Sequence, residues 1–256
     1  MSLRNKLIVV TRSEKGSKEW QEQLTKQGAT VYNLPTISMT PVKPNRKLSY
    51  LLHHIDDFYW VVFTSASGIR YLSILAKEIS LDLSTIKLPK LAVIGEQTAM
   101  VARATGFQVV FQPTIPSSLT LGEELKPVGG KSILLLRTTI ASSDLAKQLT
   151  QRGGIVTDLP IYQTTFLHEP DPKFSELLDS NKIDYITFAS PSAVSGFCQR
   201  LTKLDLTKAK TLQVVAIGPV VAAELQGRGF KKIHTSIEPT VEGIIKIIAK
   251  FPRSFQ

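Results

Sequence analysis

Short apolar runs alternate with longer amphipathic stretches along the whole chain. Residues 7–11, 30–34, 60–64, 91–94 and 109–111 are brief runs rich in β-branched and aromatic residues, and 133–136, 155–159, 185–188, 214–217 and 232–235 are of the same type. Apolar runs of this length predict strands buried on both faces. Between them, apolar residues at helical spacing predict helices over 18–27, 66–78, 97–105, 119–125, 143–152, 192–201, 220–228 and 241–251. The resulting βαβ rhythm places the chain in the α/β class, with parallel sheets flanked by helices in a doubly wound, flavodoxin-like manner.

The pattern occurs twice. Residues 24–35 (LTKQGATVYNLP) return 125 positions later as 149–160 (LTQRGGIVTDLP). At the same offset Ile8-Val9-Val10-Thr11-Arg12 meets Ile133-Leu134-Leu135-Leu136-Arg137, and Phe63-Thr64-Ser65-Ala66-Ser67 meets Phe188-Ala189-Ser190-Pro191-Ser192. With a slip of two positions, Val93-Ile94-Gly95 meets Ala216-Ile217-Gly218. Solenoid repeats run about 20–50 residues, so a period this long marks two domain-sized copies, with a site expected between them. Each first βαβ unit ends in Leu-Pro and continues into an extended stretch, 36–41 or 161–166, that runs into prolines. These stretches read as two crossings between lobes, giving one discontinuous lobe from 1–35 with 168–256 and a second from 36–167. Two sequential domains split near residue 130 fit the same rhythm.

Charge and composition narrow the chemistry. The net charge of +10 favours anionic partners, yet the basic residues form no block and no stacking aromatics are interleaved with them. A small polyanion is therefore as good a candidate as nucleic acid. A single cysteine, Cys198, leaves no multi-thiolate metal site, and the four histidines lack ligand spacing. No apolar run approaches the roughly 20 residues of a membrane helix, and the N-terminus lacks a secretory pattern, so a cytoplasmic protein is expected. Gly129-Gly130-Lys131-Ser132 ends like a phosphate-binding loop, but Leu125 stands where its first glycine belongs and a strand follows.

In parallel sheets ligands bind at the carboxyl ends of the strands. Those ends carry Ser65-Ala66-Ser67, Ser190-Pro191-Ser192, Gly95, Gly218, Ser117-Ser118 and Thr240, each just before a predicted helix. Small residues there expose backbone N–H groups at a positive helix end, which suits carboxylates. For any one turn, plain helix capping is the alternative. Binding through backbone makes Ser65→Ala and Ser190→Ala mild. Arg12 and Arg137, each one step past a first strand, are candidates for bidentate carboxylate contacts, with surface ion pairing as the alternative.

Taken in order, Val10-Thr11-Arg12, Phe63-Thr64-Ser65, Ile94-Gly95, residues 159–164 (LPIYQT), Phe188-Ala189-Ser190-Pro191-Ser192, Ala216-Ile217-Gly218-Pro219 and residues 239–243 (PTVEG) resemble the uroporphyrinogen-III synthase family. The resemblance runs nearly end to end. It implies a cofactor-free enzyme, a lyase that closes hydroxymethylbilane to uroporphyrinogen III with loss of water and inversion of ring D. It also implies two α/β lobes joined by a two-stranded linker, and an inter-lobe cleft that holds the eight-carboxylate substrate largely through backbone amides. No nucleic acid or membrane partner is implied, and a monomer is expected. The family's active-site tyrosine falls on Tyr162, and its threonine after an Ile-Gly falls on Thr98. A further family threonine meets Val220 and Val221 here. A tyrosine in an extended segment also packs between lobes, and a polycarboxylate-binding module without turnover remains the alternative function.

Overall fold

The computed structural model describes residues 2–87 and 89–251. The first half of the chain forms β1 (Leu7–Val10), α1 (Glu14–Lys26), β2 (Thr30–Asn33), β3 (Ile37–Pro41), α2 (Arg46–His53), β4 (Trp60–Phe63), α3 (Ala66–Glu78), β5 (Lys90–Val93), α4 (Glu96–Ala104), β6 (Val109–Phe111) and α5 (Ser118–Glu124). The second half repeats the series. It comprises β7 (Ser132–Thr138), α6 (Asp144–Gln151), β8 (Ile155–Phe166), α7 (Pro172–Asp179), β9 (Tyr185–Phe188), α8 (Pro191–Arg200), α9 (Lys203–Ala209), β10 (Gln213–Ala216), α10 (Pro219–Gly227), β11 (Lys232–Thr235) and α11 (Val241–Lys250). Helices α2, α7 and α9 are additions to the elements predicted above. Asn45, Asp171 and Thr202 start them by accepting from the backbone N–H three residues on. In β8 the predicted strand and the predicted crossing prove to be one continuous strand.

The chain divides into two compact units, Met1–Ser38 with Thr165–Gln256, and Met39–Thr164. The sheet of the first unit has the order β11-β10-β9-β1-β2, and that of the second β3-β8-β7-β4-β5-β6. Apart from the crossing strand β3, each unit combines the first two strands of one copy of the repeat with the last three of the other. β1 pairs in parallel with β9, and β7 with β4. Both orders reverse direction at that pairing, which is where a doubly wound sheet opens its backbone ends. The chain passes between units inside β3 and β8, which pair with each other. Val42 N–H donates to Ile161 O and Leu167 N–H to Thr36 O, so this ladder is antiparallel.

Alternation along the strands builds a core on each face of each sheet. In the first unit Val9, Ile186, Phe188 and Val214 pack against α7, α8 and α10, while Ile8, Val10, Tyr185 and Val215 pack against α1 and α11. In the second, Val61, Phe63, Leu134 and Leu136 face α2, α3 and α4, while Trp60, Val62, Ile133 and Leu135 face α5 and α6. Burial of a large apolar side chain stabilises by about 1.5–3 kcal/mol, so two-sided burial is what holds strands of only four residues. The equivalent glycines Gly28 and Gly153 adopt φ of +91° and +81°, the left-handed turn that ends α1 and α6.

Four buried or half-buried phenols make stability sensitive to alkali. Burial, reinforced by a 2.7 Å hydrogen bond to Asp171 Oδ1, pushes Tyr32 up to about 12, and burial also raises Tyr71, Tyr162 and Tyr185. The unfolded chain, with phenols near ~10, then releases protons before the folded one does. Their contribution is complete below about pH 10 and is lost as the pH rises through the folded values. The melting temperature should fall between about pH 10 and 12, and Tyr32→Phe should make that fall shallower. An unchanged slope in the variant would show that Tyr32 titrates normally.

Candidate functional site

In the second unit β4 delivers the chain to Ser65, the extended residue that precedes α3. Its side chain makes no hydrogen bond to the helix it starts. Ser65 Oγ instead shares a 2.9 Å hydrogen bond with the phenol of Tyr162, in which either oxygen can donate. Tyr162 lies in β8 beside Thr138, is 4% exposed, and stacks on Tyr71 with ring centroids 4.9 Å apart. Tyr71 Oη in turn donates to Met39 O at 2.6 Å. Burial raises the Tyr162 phenol, and the Ser65 bond partly offsets that rise. The phenol is thus a protonated donor at neutral pH. Ala66 and Ser67, half-buried, form the first turn of α3, whose leading N–H groups have no intrahelical acceptors. A Cβ on Gly68 would meet Phe63 Cδ1 at 2.8 Å and Leu136 O at 3.1 Å, so glycine lets this turn rest directly on the end of β7.

Two other turns of this unit follow the expected pattern. Gly95 is the extended N-cap of α4, and Thr98, buried, closes the first turn by donating its N–H to Gly95 O. Ser117 caps α5 by accepting from Thr120 N–H at 3.0 Å, and Ser118 is exposed.

Arg137 requires a correction. It lies inside β7, is 4% exposed, and donates Nε to Asp158 Oδ1 at 2.7 Å and Nη1 to Ser142 O at 2.6 Å. Nη2 closes a bidentate pair with Asp158 Oδ2. Its guanidinium is a strand-to-strand brace and is not presented to a substrate carboxylate. The signal was in the sequence: the repeat partner of Asp158 is Asn33, so only the second copy carries a carboxylate there.

In the first unit Arg12 follows β1 at the strand-order reversal, where Thr11 Oγ1 donates to Thr187 O of β9 at 2.8 Å. Its guanidinium lies 4.8 Å from the Trp20 ring centroid. Ser190 caps α8, accepting from Ala193 N–H at 3.1 Å, and bonds Ser192 Oγ at 3.0 Å; Pro191 opens the helix. Gly218 is the N-cap of α10, and a Cβ there would meet nothing within 4 Å. Thr240 caps α11 by accepting from Gly243 N–H at 3.1 Å. Val220, at the family-threonine position, is 53% exposed in the first turn of α10, while Val221 is buried in the core. Tyr71 is the contact that sequence reasoning missed. It hid as one of several apolar residues on the inner face of α3.

Among the described residues no three His, Cys, Asp or Glu side chains converge as metal ligands, and no helix is long and apolar enough to cross a membrane.

The family model described as uroporphyrinogen-III synthase HemD matches residues 18–246. The chain is 26% identical over 259 residues to the uroporphyrinogen-III synthase of Synechococcus elongatus, covering 97% of this chain and 96% of that one. It is 28% identical over 245 residues to a porphyrin biosynthesis protein HemD of Ruminiclostridium josui, covering 94% of this chain but only 48% of that longer protein. A crystal structure of a mutant uroporphyrinogen III synthase from Thermus thermophilus superposes with a TM-score of 0.69 at 19% identity, covering 96% of this chain and 100% of that one, which shows a shared fold.

The two equivalent serines should respond differently to alanine. Ser190→Ala removes a cap and should cost about 1 kcal/mol whatever stands at position 162. Ser65→Ala removes no cap but leaves a buried phenol without its partner, at about 1–3 kcal/mol. In a Tyr162→Phe background that cost should nearly vanish. Urea unfolding of the three single variants and of each serine variant combined with Tyr162→Phe checks this, and an additive Ser65→Ala cost would show that the pair does not form.

Proposed function

The chain belongs to the uroporphyrinogen-III synthase family, and we propose that it acts as the family name states, closing hydroxymethylbilane to uroporphyrinogen III with loss of water, as a cytoplasmic monomeric lyase. The observation that carries this reading is the Tyr162–Ser65 pair: a buried, protonated phenol hydrogen-bonded to the hydroxyl that opens α3, beside helix-start N–H groups suited to carboxylates. The bilane is a flexible octacarboxylate, and a chain of net charge +10 draws such an anion in. The N–H groups at the turns after β4 and β5 in the second unit, and at those after β9 and β10 in the first, are suited to its carboxylates; Thr98 and Ser190 order two of these turns, while Ser117 and Thr240 cap the helices that follow β6 and β11. Arg12 adds a cation after β1.

Catalysis then divides into two tasks. Binding restrains a substrate that also cyclises unaided to the isomer with ring D not inverted, so holding one productive conformation decides the product. Proton donation assists departure of the hydroxymethyl oxygen as water, for which a positioned acid contributes typically ~10²–10⁴-fold. The electron-rich pyrrole already activates that oxygen, so a weak acid suffices.

Incubation with hydroxymethylbilane, followed by oxidation and separation of the porphyrin isomers, should yield predominantly type III. Only type I product, or bound and unconverted bilane, would contradict the enzyme reading and point to a polycarboxylate-binding module. Gly218→Asn supplies a capping side chain in open space, so stability should stay within about 0.5 kcal/mol while apparent substrate affinity falls at least severalfold. Unchanged affinity would remove the β10–α10 turn from the site.

A further inference from the structure

The internal repeat supplies a comparison within one molecule. At the offset of 125 residues Ser65 corresponds to Ser190, Tyr162 to Ile37 and Tyr71 to Gly196. In the first unit the capping serine does the ordinary thing, holding Ala193 N–H, and its counterpart of Tyr162 is an alkyl chain, buried at 5% exposure. Glycine at 196 admits the linker backbone: a Cβ there would sit 2.5 Å from Thr36 O and 3.2 Å from Ile37 Cγ2. In the second unit the same three positions hold a phenol, a ring stacked on it, and a serine that has left its helix. The fold does not need this arrangement, since the other copy of it is built without one.

The position of the phenol decides its role. Tyr162 is 4% exposed and lies within the apolar cluster formed by Phe63, Ile69, Tyr71 and Leu136, whereas Ser65 is half-buried at the end of β4. On the reading that this chain cyclises hydroxymethylbilane, we propose that Ser65 is the catalytic hydroxyl that meets the leaving oxygen, and that Tyr162 is a positioning residue acting through it as the proton reservoir. The C–O bond of the hydroxymethyl group breaks, the oxygen keeps the electron pair and takes the Ser65 proton, and water departs. Ser65 takes the Tyr162 proton, leaving a phenolate. After the attacking pyrrole carbon has closed the ring, the proton that carbon loses returns through Ser65 to the phenolate. The net change is loss of one water, and both hydroxyls end as they began. Burial, which raises Tyr162, serves the return step by making the phenolate a strong acceptor.

The test is a kinetic double-mutant cycle with isomer-resolved turnover. In place of the mild effect expected for Ser65→Ala from backbone binding alone, Ser65→Ala and Tyr162→Phe should each lower kcat by about 10²–10⁴-fold with KM changed no more than a few-fold. The double variant should fall no further than the more impaired single variant, because the two hydroxyls act as one unit. Ser65→Thr, which keeps a hydroxyl, should restore most of the loss. A second readout needs no activity: in Ser65→Ala the alkaline titration of Tyr162, isolated by difference against Tyr162→Phe, should move upward. Wild-type kcat in folded Ser65→Ala, multiplicative losses in the double variant, or an unmoved titration would each overturn the relay while leaving type III synthesis by the wild-type chain intact. A wild-type chain that makes no type III product would overturn the functional reading itself, and the relay with it.

Discussion

Two parallel seams, β1 against β9 and β7 against β4, govern everything else in this protein. Parallel neighbours cannot be joined by a tight turn, so each seam has to bring together segments far apart in the chain. Here it does so by exchange: the opening βα units of each repeat copy complete the sheet of the other copy's closing strands. Because strand order reverses at each seam, helices leave to opposite faces on its two sides and the backbone ends between them are uncovered. Ser65 and Arg137 flank one seam, Arg12 and Ser190 the other. The same hydrogen-bonded pairings that hold each sheet together therefore decide which residues can be chemical neighbours.

Within that symmetric frame the two copies have diverged by a few side chains, and the divergence is where chemistry can be read. Asp158 for Asn33 turns one arginine into a buried brace, while Arg12 stacks over Trp20. Tyr162 for Ile37, with Tyr71 for Gly196, draws Ser65 off its helix and into a bond with a phenol. A cap contributes about 1 kcal/mol, and the second unit forgoes this one. A duplicated fold can tolerate such a loss locally because each sheet is buried on both faces.

Strands and most helices were legible from apolar periodicity, because two-sided burial leaves an unbroken apolar run and a helix leaves a 3.6-residue stripe. Helices α2, α7 and α9 were not, since each is only seven or eight residues long, α2 and α7 adjoin prolines, and a capping Asn45, Asp171 or Thr202 looks like loop chemistry. The turn residues were legible as a set, because strand-to-helix turns select Ser, Thr and Gly for backbone reasons. What each does was not. Arg12 and Arg137 occupy the same place in the pattern, and the carboxylate across the ladder that braces Arg137 shows its effect only once the strands are paired. Tyr162 was found through family resemblance; its bond to Ser65 joins residues 97 positions apart and leaves no local trace.

The strand-to-helix turns of each unit, with the Tyr162–Ser65 pair among those of the second, are the proposed positions for the carboxylates of an octacarboxylate tetrapyrrole. Titrating the isotope-labelled protein with uroporphyrin III, a stable oxidised form of the expected product, and following backbone amide shifts tests this placement most directly. Shifts are expected at the amides of residues 65–67, 95–98, 190, 192, 218 and 220, together with the Tyr162 ring. Shifts confined to the opposite, N-terminal edges of the sheets, or none at concentrations where the porphyrin binds, would contradict it.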